Sequence, residues 1–182
     1  MGHPLHQTVS GLIDERLAAG ETVYFRVTSG SMSPLLQTGD VVGVERTAPE
    51  TCRIGDIIVI RREHDYLTHR LIHKSGEFLQ TKGDNVLRPD SPIRPNSVLG
   101  RVTRVRKSGG TWNLQTARQR QIALLLAKLS RREWQVYNIA RFLRLPFRLA
   151  IRALQWTTVT VRTERKYRRN QGNGNSEQDL HP

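Results

Sequence analysis

Three short segments of the chain carry side chains that are suited to nucleophilic catalysis. Ser31 lies in the run Thr-Ser-Gly-Ser-Met-Ser-Pro, a loop in which nearby backbone N–H groups can hold an oxyanion. His69 lies in Leu-Thr-His-Arg-Leu, and a neutral imidazole is the usual general base for a serine hydroxyl. Asp84 and Asp90 follow, and a carboxylate can orient the histidine and stabilise its charged form. These are the residue types that acyl transfer through a serine nucleophile requires.

Each segment also has an ordinary structural explanation. Serine and glycine are common in linkers, and a histidine in a strand often makes only a structural hydrogen bond. Gly-Asp-Asn most often forms a turn in which the Asp and Asn side chains cap their own backbone. Taken singly, the three segments leave catalysis and a purely structural role open.

The chain around these residues has the pattern of an all-β domain. Residues 8–19 predict a short amphipathic helix that ends near Gly20. From there to about residue 106, short β-rich runs alternate with Gly, Pro, Asp and Asn. This pattern places Ser31 in a loop after the first strand and His69 within a strand.

The composition changes after the sequence Ser-Gly-Gly at 108–110. Residues 114–129 and about 131–156 predict helices, and the polar tail predicts disorder. We therefore divide the chain into an N-terminal helix (1–21), a β domain (22–107), a basic helical segment (111–167) and the tail (168–182).

In order and setting, the three segments resemble the signal peptidase I superfamily, and within it the Ser/His branch found in archaea and the endoplasmic reticulum. The resemblance covers about residues 22–106. The matching motifs are, in chain order, Ser-Gly-Ser-Met-Ser-Pro at 29–34, Gly-Asp at 39–40, His-Arg at 69–70, Lys-Gly-Asp-Asn at 82–85 with Asp90, and Gly-Arg-Val from Gly100.

This resemblance implies a role for each matching residue. Ser31 would be the nucleophile and His69 the general base, in place of the lysine that most bacterial members use. Asp90 would be the third catalytic group, and Asp84 a supporting or structural one. No lysine occurs between residues 32 and 73, which disfavours the Ser/Lys dyad of the bacterial and LexA-repressor type.

The resemblance also implies the surroundings of the nucleophile and the activity. The Ser31 amide and the Ser29 hydroxyl would form the oxyanion hole, and Met32 and Pro34 would help to shape the substrate groove. The implied fold is mainly β, a coiled sheet of the signal-peptidase and LexA-repressor type. The implied activity is that of a serine endopeptidase that cuts a precursor or signal/leader peptide after small residues, with no cofactor.

The net charge of +13 is concentrated in one part of the chain. Residues 1–100 hold 11 Lys and Arg against 12 Asp and Glu, whereas residues 101–169 hold 18 against 2. Any anionic partner should therefore dock on the second part. The alternative to a peptidase is a non-catalytic module that binds peptides, membranes or nucleic acid through these basic helices. Nucleic acid is disfavoured because no zinc-finger or helix-turn-helix spacing is present.

Within residues 131–156, four arginines share one face of the predicted helix: Arg141, Arg144, Arg148 and Arg152. Such a helix suits the interface of an anionic membrane, and packing against the β domain is equally open. No signal peptide and no run of about 18 apolar residues is visible in the sequence. We therefore expect the protein in the cytoplasm or peripherally on a membrane.

Two other groups of residues could carry chemistry. His64, His69 and His73 lie close together with Asp65, but no metal-ligand signature accompanies them, and no metal site is predicted. Cys52 is the single cysteine, so no intrachain disulfide is possible, and we expect a small apolar core residue.

Overall fold

The computed structural model describes residues 4–63, 65–137 and 148–154 of the 182-residue chain. Helix α1 spans Pro4–Ala18, helix α2 spans Ala117–Tyr137, and residues 148–154 are also helical. Seven strands lie between α1 and α2 in this part of the chain: β1 (Val23–Arg26), β2 (Val41–Glu45), β3 (Ile57–Arg61), β4 (Tyr66–Lys74), β5 (Leu79–Lys82), β6 (Val98–Lys107) and β7 (Gly110–Asn113). The predicted mainly β fold with flanking helices is confirmed.

The strands form one antiparallel sheet in the order β1-β2-β6-β3-β4-β5, with β7 beside β6. Along one edge β6 pairs with β2, and along the other it pairs first with β3 and then with β7. Gly100 permits the close approach of β6 and β2, because a Cβ there would lie 2.4 Å from the Glu45 carbonyl oxygen. This pairing leaves β4 and β5 at one end of the sheet, where the candidate site lies.

The core lies on both faces of β3. Its run Ile-Ile-Val-Ile at 57–60 is buried throughout, and alternate side chains pack in two separate clusters because they point to opposite faces. Leu17 of α1 joins one cluster, and Cys52 joins the other. Burial, with a smaller effect of the nearby Asp56 carboxylate, raises the pKa of the Cys52 thiol above its ordinary value. Cys52 is therefore a buried thiol in the core.

Helix α1 ends where the sequence predicts, at Gly20. This residue has a φ of 79°, and its N–H donates to the Leu17 carbonyl at 3.1 Å. The Glu21 N–H donates to the Arg16 carbonyl at 3.0 Å, which completes a Schellman motif. The helix begins earlier than predicted, at Pro4, because proline is well tolerated in a first helical turn.

The sheet extends past residue 107, where the predicted β domain ends. Residues 108–109 form the turn of a hairpin, and β7 pairs with the end of β6, so the sheet continues to Asn113. The sequence Ser-Gly-Gly therefore marks a turn within the sheet rather than the end of the β domain.

Helix α2 also differs from the prediction at both ends. It begins at Ala117 rather than at 114, because the Thr116 hydroxyl accepts the Gln119 N–H at 3.4 Å as a helix cap. It then continues without interruption to Tyr137, through the break predicted near residue 130.

Several predictions concern residues outside the described part of the chain. Arg141, Arg144 and the tail 168–182 all lie there. In the part that is described, no helix combines the length and the apolar character that crossing a membrane requires.

Candidate active site

Ser31 lies in the loop between β1 and β2. Met32 and Leu36 are buried in the core, and the Leu36 N–H donates to the Met32 carbonyl at 3.0 Å. These two anchored residues fix the loop directly after Ser31. The hydroxyl oxygens of Ser29 and Ser31 are 3.3 Å apart.

His69 links Ser31 to Asp90. The His69 Nε2 atom is 3.0 Å from the Ser31 Oγ, and the His69 Nδ1 atom is 2.7 Å from the Asp90 Oδ2. The carboxylate accepts the Nδ1–H, which leaves Nε2 as the acceptor for the Ser31 hydroxyl proton. His69 is only 5% exposed, and these two contacts give each ring nitrogen a partner inside the protein. This is the arrangement of a serine nucleophile, its base and the carboxylate that orients the base.

The pairing of β4 with β5 brings His69 and Asp90 together. In β4, His69 lies opposite Ile58 of β3, and pairing with β5 begins one residue later, at Arg70. Asp90 lies beyond β5, and its N–H donates to the Thr81 carbonyl at 2.8 Å. The Thr81 hydroxyl also donates to the Asp90 carboxylate at 2.6 Å. Thr81 thus fixes both the backbone and the side chain of Asp90.

The environment of Asp90 keeps its carboxyl group ionised. Burial raises its pKa, but the hydrogen bonds from His69 and Thr81, with the electrostatic effects of His69 and Arg62, outweigh that effect. The pKa of Asp90 is consequently lowered below its ordinary value of 3.8. A carboxylate at this position can stabilise the imidazolium that forms when His69 takes a proton.

Asp84 occupies a different environment and does not bond to His69. Its two carboxylate oxygens accept from Arg70 Nε at 2.8 Å and Arg70 Nη2 at 2.6 Å. Both side chains are almost fully buried, at 1% for Arg70 and 2% for Asp84. The Arg70 Nη1 donates to the Gly55 carbonyl at 2.8 Å. Breaking a buried pair of this kind typically costs about 3–5 kcal/mol, which makes Asp84 part of the support of the site.

The first two lysines after His69 along the chain have partners elsewhere. Lys74 Nζ donates to the Pro49 and Cys52 carbonyls, both at 3.3 Å. Lys82 Nζ donates to the Glu133 carboxylate at 3.0 Å. The group within hydrogen-bond distance of the Ser31 hydroxyl that can act as a base is the His69 imidazole.

Gly83 packs directly against Ser31 and His69. A Cβ at this position would lie 2.7 Å from the Ser31 carbonyl oxygen and 2.9 Å from His69 Nε2. The Asn85 N–H donates to the same Ser31 carbonyl at 2.8 Å. The segment after β5 thereby holds the backbone of the nucleophile as well as the carboxylate.

A cleft of about 640 Å³ opens beside Ser31. One wall is the end of β1 and the residues beyond it, 25–29, and the other is the start of β4 with the preceding residue, 65–68. Val9 and Ser10 of α1 also line it. The floor consists of buried apolar side chains: Met32, Leu36 and Val42. Pro34 is not among the described residues that line the cleft.

Comparison with known proteins identifies the family. The family model described as "Peptidase S24-like" matches residues 6–103, more than half of the chain. The chain belongs to the S24-like peptidase family. No curated protein matches it. The family supports a serine-peptidase type of fold and a protease-type hydrolase, and its match ends before β7 and α2.

In this S24-like peptidase, the predicted C-terminal arginines that are described lie near α2. Arg148 Nε donates to the Glu133 carboxylate at 3.2 Å, with about half of the Arg148 side chain exposed. Arg152 is exposed and lines a small pocket that also contains Ser33 and Asp84. Residues 148–154 therefore lie close to the segments that carry the site.

Two of the three histidines between residues 64 and 73 can be placed as follows. His64 lies outside the described residues, and His69 is bonded to Ser31 and Asp90. Within the described ranges, no group of three or more His, Cys, Asp and Glu side chains could hold a metal ion.

Sequence reasoning missed three supporting residues of the S24-like peptidase: Thr81, Gly83 and Glu133. Thr81 directly precedes the motif Lys-Gly-Asp-Asn and Gly83 lies within it, so their positions were a usable signal. Gly39 and Gly55 have a positive φ, which favours glycine, but Gly83 does not. Glycine is required at position 83 by its close packing against distant residues. Glu133 is one of only two acidic residues between 101 and 169.

Replacing Gly83 should disturb Ser31 and His69 directly. In Gly83→Ala the new methyl group would overlap the Ser31 carbonyl and the imidazole, so we expect labelling of Ser31 by a fluorophosphonate to slow by about tenfold or more. Intact-protein mass spectrometry measures the rate. The matched control is Gly76→Ala, since a Cβ at Gly76 has no neighbour within 4 Å. Equal rates for Gly83→Ala and the wild type would contradict this prediction.

The ionised Asp90 should make stability depend on pH in a definite direction. Because its folded pKa lies below the unfolded value, its contribution is present above about pH 3.8 and is lost as the pH falls through the folded pKa. The difference in the free energy of unfolding between wild type and Asp90→Asn should therefore shrink as the pH falls from about 5 toward 2. Urea unfolding at each pH measures it, and a constant difference would count against the assignment.

Proposed function

We propose that this S24-like peptidase is a serine endopeptidase of the signal peptidase I type, which uses Ser31, His69 and Asp90 to cut a precursor or signal/leader peptide after small residues. The observation that carries the proposal is the continuous hydrogen-bond chain from the Ser31 hydroxyl through His69 to the Asp90 carboxylate. The resemblance of the three motifs to the Ser/His branch supports the same assignment.

The proposed reaction uses these groups in the following order. His69 Nε2 takes the proton of Ser31 as its Oγ attacks the peptide carbonyl, and Asp90 stabilises the imidazolium. The Ser31 N–H and the Ser29 hydroxyl hold the negative oxygen of the tetrahedral intermediate. His69 then gives the proton to the leaving amine, and the acyl group remains on Ser31. His69 next activates a water molecule, which releases the acyl group and restores the enzyme.

The cleft supports an extended peptide as the substrate. Its two walls are strand edges: β1 is the end strand of the sheet, and β5 pairs with β4 only from Arg70 onward. A peptide can therefore add alongside a strand and make backbone hydrogen bonds. The floor is closed by fully packed core side chains, which favours small residues next to the cut.

The test is to map cleavage products. Native precursor proteins are incubated with the wild type and with Ser31→Ala or His69→Ala, and new N-termini are identified by mass spectrometry. We expect cuts after small residues with the wild type, and a loss of at least about a thousandfold in each variant. Ser33→Ala, in the same loop, and His73→Ala, in the same strand, are matched controls that should remain active. Full activity of Ser31→Ala or His69→Ala would refute the proposed mechanism.

A second proposal concerns membrane contact, and one observation favours it. The exposed side chains of α2 between Arg118 and Gln135 include no acidic residue, because Glu133 is buried. They include five cations and two leucines: Arg118, Arg120, Lys128, Arg131, Arg132, Leu124 and Leu125. A cationic face with apolar side chains at its centre suits an anionic membrane surface rather than a nucleic acid, which would call for aromatic stacking or groove-reading residues.

Flotation with lipid vesicles tests this second proposal. Each cation near an anionic surface contributes about 1 kcal/mol, so Arg131→Gln with Arg132→Gln should weaken binding to vesicles that contain phosphatidylserine by about tenfold or more. Two exposed arginines of the β domain provide the control, as Arg53→Gln with Arg94→Gln. Binding that is equal in all variants, or equal for vesicles of neutral lipid, would exclude the α2 face as the contact.

A further inference from the structure

A buried ion pair joins α2 to the end of β5. Lys82 Nζ lies 3.0 Å from Glu133 Oε2, and the two side chains are 0% and 3% exposed. The Lys82 ammonium also lies 3.4 Å from the Ser130 hydroxyl, and the other Glu133 carboxylate oxygen accepts from Arg148 at 3.2 Å. Two charges are thus held in the interior by directional contacts from β5, α2 and residues 148–154.

Such a pair contributes little net stability. Removing two charges from water costs several kcal/mol for each ion, and packed apolar side chains of similar size are often as stable or more stable. The pair does fix geometry, because a buried ammonium that leaves its carboxylate loses most of its stabilisation. The Lys82–Glu133 pair thus fixes the end of β5 relative to α2.

Lys82 is joined directly to the segment that contacts the nucleophile. The next residue, Gly83, packs against the Ser31 carbonyl and His69 Nε2, and the Asn85 N–H donates to that carbonyl at 2.8 Å. A small movement at the end of β5 would therefore change the distance between Ser31 and His69.

A second contact from α2 reaches the support of the site independently. A Cβ on Gly55 would lie 2.8 Å from the backbone of Ala123, so this turn packs closely on the helix. The Gly55 carbonyl accepts from Arg70, whose guanidinium also holds Asp84. α2 thus contacts two segments near the site: the turn at Gly55, through Ala123, and the end of β5, through Lys82.

We infer that Glu133 is a positioning residue for the Ser31–His69 pair and that the catalytic unit includes α2, beyond the segment that the family model matches. This inference rests on the proposed function. It assigns to the basic C-terminal part of the chain a role inside the peptidase: the inner face of α2 fixes the end of β5 through Lys82, and Gly83 transmits that position to Ser31.

The test uses the full-length chain and the Glu133→Gln variant. This variant keeps the size of the side chain but leaves the buried ammonium without a carboxylate. We expect the second-order rate constant for fluorophosphonate labelling of Ser31 to fall by about tenfold, with the final labelled fraction unchanged. In hydrolysis of a peptide with small residues, kcat should fall by a similar factor while KM stays the same.

Glu45→Gln is the matched control. Glu45 also accepts from a hydroxyl and a cation, Thr103 at 2.9 Å and Arg104 at 3.1 Å, but between β2 and β6. It should keep the rate constant of the wild type. Labelling of Glu133→Gln at the wild-type rate would overturn the inference. A reduced labelled fraction with an unchanged rate constant would also overturn it, because that result reports only loss of folded protein.

Two further outcomes can be told apart from these: an inactive wild type and a Glu133→Gln variant that does not fold. If the wild type is neither labelled at Ser31 nor able to cut any peptide, the proposed function fails, and this inference fails with it. If Glu133→Gln does not fold, Lys82→Met with Glu133→Leu replaces the pair by apolar side chains, which buried sites of this kind tolerate. This double variant should fold and still label slowly. A wild-type rate in it would overturn the inference.

Discussion

The two hydrogen bonds of the His69 ring require that the fold bring Ser31 and Asp90, from separate parts of the chain, to either side of one imidazole. An imidazole this deeply buried needs a partner for each nitrogen, because an unsatisfied buried polar group costs about 1–3 kcal/mol. The partners, Ser31 and Asp90, come from a loop between β1 and β2 and from the segment after β5. The pairing of β5 with β4 brings the segment that carries Asp90 beside His69, and the Asn85 N–H of that segment donates to the Ser31 carbonyl. The sheet is thus the element that makes the site possible.

Two aspartates six residues apart illustrate how partners, rather than residue type, determine roles. Asp84 faces a full positive charge in the fork of Arg70, so its negative charge is already matched. Asp90 instead accepts from the His69 ring and the Thr81 hydroxyl. Its charge therefore remains able to stabilise an imidazolium that forms during a reaction. Burial alone would not separate the two residues, since both carboxylates are largely shielded from water.

Much of the fold could be predicted because its signals are local. The apolar run at 57–60 indicates a strand buried on both faces, and Gly20 ends α1 through its positive φ. The motifs also place Ser31, His69 and Asp90 in order along the chain. Strand β7 could not be predicted in this way, because its four residues, which begin with the last glycine of Ser-Gly-Gly, resemble a linker until β6 pairs with them. The role of Gly83 could not be predicted either, because Ser31 and His69, against which it packs, are distant in the sequence.

Helix α2 shows that the charge of a segment and the charge of its buried face are separate properties. Residues 101–169 hold 18 Lys and Arg but two acidic residues, and composition alone therefore predicts a surface for anionic partners. One of those acids, Glu133, turns inward three residues after Ser130, on the same face of the helix, and meets Lys82. An acid that is isolated in a basic segment has many cations within reach on the surface. Its burial against a lysine from the β domain places a specific interaction inside the fold, while the cations around it remain outside.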